Sequence, residues 1–318
     1  MSLLTLISDQ RYLQHDTGGE PHPEIPERLH TIHQALEASS YFSDLNRVHP
    51  RIAEREWLLA AHDESWLFRF EEEVLSGKTY IDHVDNQIGY ESYTIAMLAA
   101  GAGLTAIDLL EDNDADNVFC LVRPPGHHAE AKTPFGFCFF NNCVVAARYW
   151  QRKYNKKRIL IFDFDAHHGN GIQSAFEEEY DTFYISIHEH PSFSYPGTGY
   201  ADDKGIGEGK GTILNLPLHP GGDDKQVMEL LEKVVSPQLE EWRPDALVIA
   251  AGFDAHVADD MSGLQYSTEI YSNIGMTIQG WAQQYTEGKI LSILEGGYEL
   301  SVLGESVEAY VSGLLGKR

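Results

Sequence analysis

Cysteine is scarce: Cys120, Cys138 and Cys143 are the only three among 318 residues, and none belongs to a C-x-x-C pair. That excludes a disulfide-built fold and a cysteine-ligated structural zinc site. Cys120 and Cys143 lie in apolar surroundings, so buried thiols in a reducing, cytoplasmic compartment are expected. Basic residues are also few. Lys and Arg number 23 against 49 Asp and Glu, a formal net charge of -26 with a pI near 4.8. Such a surface is a poor match for a nucleic-acid backbone; it favours solubility and permits attraction of cationic substrates. The first residues, Met1 to Arg11, lack a basic leader followed by a long apolar stretch, so neither a signal peptide nor a membrane partner is expected. No Pro/Gly/Ser-rich linker, charge block or fixed-period repeat divides the chain, and 42% apolar content suffices for one large core. One domain over residues 1–318 is expected.

Short apolar runs alternate with helical patterns. Strands are predicted at 117–122, 158–165, 182–188, 246–254 and 289–294. Helices are predicted at 92–110, 141–154, 224–242, 268–285 and 299–315, the third kinked at Pro237. This alternation predicts an α/β fold: an open parallel sheet with helices on both faces. In such sheets ligands gather beyond the carboxyl ends of the strands.

Two histidine-rich runs lie at those places: Arg123-Pro-Pro-Gly-His127-His128 and Asp163-Phe-Asp165-Ala-His167-His168-Gly169-Asn170-Gly171. A carboxylate ending a buried strand needs a partner, and a cation is an efficient one. Asp165 and His167 are two residues apart and can face one side, half of a zinc site with oxygen and nitrogen donors. The other reading is a salt-bridged strand end with solvated histidines. A third ligand is offered by Asp254, which ends the run Ala246 to Asp254; its other reading is a helix N-cap. Two Asp and one His leave a position open for water, as catalytic zinc requires.

The runs Arg-Pro-Pro-Gly-His127-His128, Gly136-Phe137-Cys138-Phe139-Phe140-Asn141-Asn142, Asp163 to Gly171, Tyr195-Pro-Gly-Thr-Gly199, Ala251-Gly-Phe-Asp254 and Glu295-Gly-Gly-Tyr298 resemble the zinc-dependent histone deacetylase family. Their order and spacing match from His15 to Tyr298. Asn170, where class I members carry Asp, and Glu295-Gly-Gly-Tyr298 resemble the class II branch and its bacterial deacetylase and acetylpolyamine amidohydrolase relatives. The implied fold is the arginase/deacetylase-like one.

The resemblance implies Zn2+ on Asp165, His167 and Asp254, one per chain, with iron left open as the native metal. His127 and His128 would flank the attacking water, held by Asp163 and Asn170 respectively. Asn170 gives only a neutral hydrogen bond, so His128 should stay neutral as a base more easily than with a carboxylate partner. Tyr298 would polarise the amide carbonyl. Phe137 and Tyr195 would wall an acyl-lysine slot, Tyr195 replacing the usual Phe, with Gly136, Gly297 and Met261 beside them. Arg28, after the turn-rich segment His15 to Glu27, would line the path by which acetate leaves. The resemblance also implies K+ at Asp163, Asp165, His167, Ser186 and Ile187, and less firmly a second such site around Phe176, Glu179 and Thr182. His15, His22, His30 and His33 are assigned no metal.

The expected reaction is hydrolysis of an N-acetyl-lysine amide, or of a related N-acyl amine, to release acetate or a short acid. Acetylpolyamine hydrolysis is the alternative; the apolar Met261 stands where the polyamine-preferring member has Glu. A two-metal arginase-type ureohydrolase would need Asp at position 169, which is Gly, and a non-catalytic acyl-lysine reader would not need the whole catalytic set. A homo-oligomer is left open. So are the roles of the segments 78–89 and 202–211, as contact surfaces or as parts of the rim.

Overall fold

Eight strands lie side by side in one sheet, and every neighbouring pair is parallel. The computed structural model describes residues 4–17 and 21–317; most of the opening Met1 to Arg11 and of the segment His15 to Glu27 is described, but residues 1–3 and 18–20 lie outside it. The strands are β1 (Leu4–Ile7), β2 (Asn46–Val48), β3 (Tyr80–Ile81), β4 (His83–Gln87), β5 (Asn117–Cys120), β6 (Ile159–Asp163), β7 (Thr182–Glu189), β8 (Ile213–Leu218), β9 (Ala246–Ala251) and β10 (Ile290–Leu294). The main sheet runs β2-β1-β5-β10-β9-β6-β7-β8, while β3 and β4 form a separate antiparallel hairpin.

β5, β6, β7, β9 and β10 are buried along their whole length, as strands covered on both faces must be. Their continuous apolar runs make them visible in the sequence. β2 and β8 are the edges. β2 is largely exposed, and β8 alternates buried and half-buried residues and tolerates Pro217, as an edge strand can. Neither carries an apolar run, so neither is among the predicted strands, and the short β1 is missing with them. The segment 78–89, expected only as a loop, contains the β3–β4 hairpin.

The predicted helices are present at Ser92–Glu111, Asn142–Tyr154, Thr268–Tyr285 and Leu300–Leu314. The 224–242 region is helical throughout, and in place of the expected proline kink there is a widened turn. Asp224–Leu230 passes through a π-helical turn at Leu231–Val235 into Ser236–Trp242, with Pro237 in the first turn of the last segment. Ser236 donates both N–H and Oγ–H to the Leu231 carbonyl, which absorbs the distortion that a missing proline N–H imposes.

Ser92–Glu111 is long and apolar enough to cross a membrane, but two-thirds of it is buried inside the fold. Its Leu98 carbonyl accepts from the Tyr12 hydroxyl, and Gly103 lies so near Ala146 that an added Cβ would stand 2.9 Å from that methyl. All three cysteines are buried and unpaired.

Adjacent β10, β9 and β6 share the centre of the core, where Leu247 is fully buried. Leu247→Ala is expected to cost about 2–5 kcal/mol through lost burial and a residual cavity. A fall in the urea midpoint at unchanged slope checks this.

Candidate active site

The loops that follow β5, β6, β9 and β10 carry the site, and these four strands are consecutive in the sheet. Each strand delivers its side chains to the same end. β6 ends in Asp163, followed by Asp165 and His167; β9 leads to Asp254; β10 leads to Glu295 and Tyr298; the loop after β5 brings His127 and His128.

Asp165, His167 and Asp254 converge so that one donor atom from each lies within 4.8 Å of the others. His167 Nδ1 is 3.1 Å from Asp165 Oδ1 and 3.1 Å from Asp254 Oδ2. Both carboxylates are fully buried, and among the described residues neither is paired with Lys or Arg. His167 Nε2 faces the Met261 carbonyl at 3.1 Å and therefore carries a proton, which leaves Nδ1 as the atom available to a cation. Burial opposes charge on His167, but Asp254 and Asp165 outweigh it and hold its proton affinity well above the ordinary value. A metal ion at this point would replace that proton as the balancing charge. The donor set of two oxygens and one nitrogen fits zinc. Asp254 is not a helix cap: Oδ1 accepts from Ala166 N–H, and the next helix begins only at Thr268.

The close approach of the two carboxylates depends on glycine. A Cβ on Gly252 would fall 2.1 Å from Asp165 Oδ2, and one on Gly296 would fall 2.1 Å from Asp254 Oδ2. The Gly296 N–H donates to Asp165 Oδ2 at 2.8 Å. At Gly169 an added Cβ would meet Asp163 Oδ2 and the Tyr184 hydroxyl, each at 2.6 Å, so no side chain fits there, least of all a further carboxylate.

The proton affinities of the neighbouring histidines are pushed in opposite directions. His127 Nδ1 is 3.1 Å from Asp163 Oδ2. Burial works against its charge, yet Asp165 and Asp163 dominate and push its pKa up to about 10. His128 Nδ1 is 2.9 Å from Asn170 Oδ1, a neutral acceptor. Burial, and then the positive neighbours His127 and His167, drive its pKa well below the ordinary value. These carboxylates thus favour the protonated form of His127, while the surroundings of His128 favour the neutral imidazole, which can accept a proton.

Phe137, Tyr195 and Tyr298 gather around this pair. Tyr298 meets Phe137 edge-on at 5.6 Å between centroids, and Tyr195 meets His128 edge-on at 5.1 Å. Gly136 has φ +49 and would place a Cβ 2.4 Å from His128 Cδ2, so only glycine fits between ring and chain. Gly297, at φ +116, turns the chain into Tyr298 against Phe253 and Leu303. Met261 is half-buried, and its carbonyl lies 3.1 Å from His167 Nε2. Arg28 is buried behind Tyr298, 4.8 Å from its ring, and donates to the carbonyls of Gly297 and Glu295 and to Glu24. Desolvation first holds the Tyr298 phenol well above its usual pKa, so it stays protonated and able to donate.

Ser186 is in register with Asp163 across β6 and β7, with Ile187 next to it. Around the second expected cation position, Glu179 is tied to Arg148 by two hydrogen bonds of 2.5 and 2.6 Å, and the Phe176 carbonyl accepts from Glu179 N–H. His15 bonds to Ser92, His22 to the Asp85 carbonyl and His33 to Ser8, while His30 is exposed; none joins the metal cluster. The 78–89 hairpin shapes the rim, since Asn86 accepts from Phe137 N–H. The 202–211 segment packs instead on the Glu177 carbonyl through Ile206.

Two positioning carboxylates are given no role by the motifs. Glu295, fully buried, accepts from the backbone N–H groups of Gly126 and His127 and so fixes the histidine loop; burial raises its pKa to about 7. Asp259 accepts from Tyr298, Glu299 and Met261 N–H, joining the Tyr298 turn to the loop whose carbonyl holds His167. Glu295 is signalled by its place at a strand end, whereas Asp259 sits in a loop with no pattern to mark it.

The match to known proteins agrees with this geometry. Residues 22–314 match the histone deacetylase domain. Histone deacetylase 14, chloroplastic, of Arabidopsis thaliana is 37% identical over 94% of this chain and 74% of its own length. The histone deacetylase-like amidohydrolase of Pseudomonas aeruginosa is 34% identical over 91% and 74%. The crystal structure of the HDA15 HD domain superposes with a TM-score of 0.93 at 34% identity, covering 100% of this chain and 90% of that one. The chain belongs to the histone deacetylase family.

Gly296→Ala should push apart the two carboxylates while leaving the sheet intact. Zinc affinity is expected to fall about tenfold to a hundredfold with unchanged far-ultraviolet circular dichroism, which a competitive chelator titration would measure.

Proposed function

We propose that this protein hydrolyses the amide of N-acetyl-lysine side chains, or of closely related N-acyl amines, with zinc held by Asp165, His167 and Asp254. The observation that carries the reading is a pair of imidazoles, one on the Asp163 carboxylate and one on the Asn170 amide, beside a buried two-carboxylate, one-imidazole donor set, with Tyr298 against Phe137. Zinc at that donor set would polarise the amide carbonyl and acidify a bound water. His128, neutral and with Nε2 free of the Asn170 hydrogen bond, accepts the proton from water and later returns it to the leaving amine. His127, hydrogen-bonded to the Asp163 carboxylate, favours the charged form and supplies a positive field beside the developing negative charge. Tyr298 donates its hydroxyl to the oxyanion, from a backbone tethered by Asp259. Phe137 and Tyr195 grip the apolar methylenes of the acylated side chain, and Arg28 offers a guanidinium behind Tyr298 toward the released carboxylate.

The absence of space at Gly169 weighs against a two-metal ureohydrolase, and the apolar Met261 weighs against a preference for cationic polyamines. A monovalent cation among the backbone carbonyls of Asp163, Asp165, His167, Ser186 and Ile187 forms part of the same reading, supported by the pairing of β6 with β7 at that point. A cytoplasmic location is proposed from the three unpaired buried thiols.

Zinc-loaded protein is expected to release acid from a panel of acyl-lysine peptides, acylpolyamines and small acylamides, with the peptides preferred. Failure on the whole panel would overturn the reading. Tyr298→Phe should keep its zinc and lose about a hundredfold to a thousandfold in kcat; unchanged turnover would remove the oxyanion role.

A further inference from the structure

Behind Asn170 lies a third residue, Glu130. Asn170 Nδ2 donates to Glu130 Oε1 at 2.9 Å while Asn170 Oδ1 receives the Nδ1–H of His128 at 2.9 Å. Among the described residues the Glu130 carboxylate makes no ion pair, so the Asn170 amide is the partner the structure gives it. The backbone that carries Glu130 is rigid. Its N–H donates to the Thr133 carbonyl at 3.0 Å, and its carbonyl accepts from His62 Nδ1–H at 3.0 Å. His62 Nε2 in turn accepts from Asn141 N–H, so the carboxylate is delivered to one place by main-chain contacts that do not depend on it.

This arrangement has a chemical consequence. An asparagine amide can sit in two orientations, and a neutral imidazole in two tautomers. If the Asn170 amide turned over, its NH2 would face His128 and its oxygen would face the Glu130 carboxylate. His128 would then keep its lone pair at Nδ1 and its proton at Nε2, the wrong form for a base acting through Nε2. A negative charge behind the amide forbids that orientation, because two acceptors would face each other without a proton.

We infer that Glu130 is a positioning residue which fixes the orientation of the Asn170 amide and thereby the basic tautomer of His128. The inference rests on the reading of His128 as the base, but it concerns a residue that no motif in the chain marks. It also accounts for an asparagine serving at a position where a carboxylate would set the tautomer unaided: here the charge stands one residue further back.

The test is a set of variants on the zinc-loaded protein. Glu130→Ala is expected to lower kcat about tenfold or more with little change in KM, as loss of an orienting partner does; Glu130→Gln, whose amide can accept from Asn170 but can also donate to it when flipped, should recover only part of the loss. In an Asn170→Asp background the sign should reverse. Two carboxylates would then stand against each other, so adding either Glu130→Ala or Glu130→Gln should raise kcat above the single variant. Nitrogen-15 imidazole shifts should show His128 protonated at Nδ1 in the unsubstituted protein and shifted toward the Nε2–H tautomer in Glu130→Ala. That spectrum is readable even if the deacylase assignment fails, so the two failures are distinguishable. An unchanged tautomer and unchanged turnover in Glu130→Ala would overturn the inference. Equal losses from Glu130 substitution in both backgrounds would overturn it too, showing only a structural role; the Gln variant keeps this comparison open should the Ala variant not fold.

Discussion

Two carboxylates that pair with no Lys or Arg among the described residues, buried at the ends of neighbouring strands, are the constraint around which this molecule is organised. Asp165 and Asp254 are each fully removed from water and face a shared imidazole. Isolated charges of this kind are strongly disfavoured in a protein interior unless a cation or protons balance them. With His167 they form a donor set that could hold such a cation.

Much of the surrounding architecture follows. Glycines at 252 and 296 let the backbone crowd the carboxylates. The Ala166 and Gly296 N–H groups satisfy the oxygens that remain. A further ring of acids then acts on the backbone and the imidazoles: Glu295 holds the histidine loop, Asp259 the tyrosine turn, and Asp163 the His127 ring. The acidic character of the chain is thus concentrated functionally at its centre as well as spread over its surface. His127 and His128 are adjacent in sequence and 4.0 Å apart between ring centroids, yet their proton affinities are shifted in opposite directions, His127 upward by Asp165 and Asp163 against burial and His128 downward by burial and its positive neighbours.

The parts of this arrangement that are legible in the sequence share a physical cause. A strand buried on both faces writes a continuous apolar run, and a polar residue at its end stands out, so Asp165 and Asp254 can be placed from hydrophobic patterning, whereas the role of Asp163 comes from the motif resemblance. The edges β2 and β8 bury too little to leave that mark. His127, His128, Phe137, Tyr195 and Tyr298 are recognisable through motif resemblance, and the fold brings them together at one mouth. Asp259 and Glu130 act through loop backbone and through another side chain, respectively. Nothing in local periodicity reports contacts of that kind, which exist only once distant segments have met. The widened turn before Pro237 falls between these cases: the proline announces a disturbance, but its form depends on Ser236 reaching back to Leu231.

The claim that a cation balances the buried carboxylates is tested most directly by thermal unfolding of metal-stripped protein titrated with zinc. With one zinc bound per chain, Tm should climb steadily with free zinc, the gain in stability reaching about 2.7 kcal/mol when free zinc is a hundred times its Kd. Asp254→Asn should fold and show no such gain. A Tm indifferent to zinc, or an equal rise in Asp254→Asn, would contradict the account.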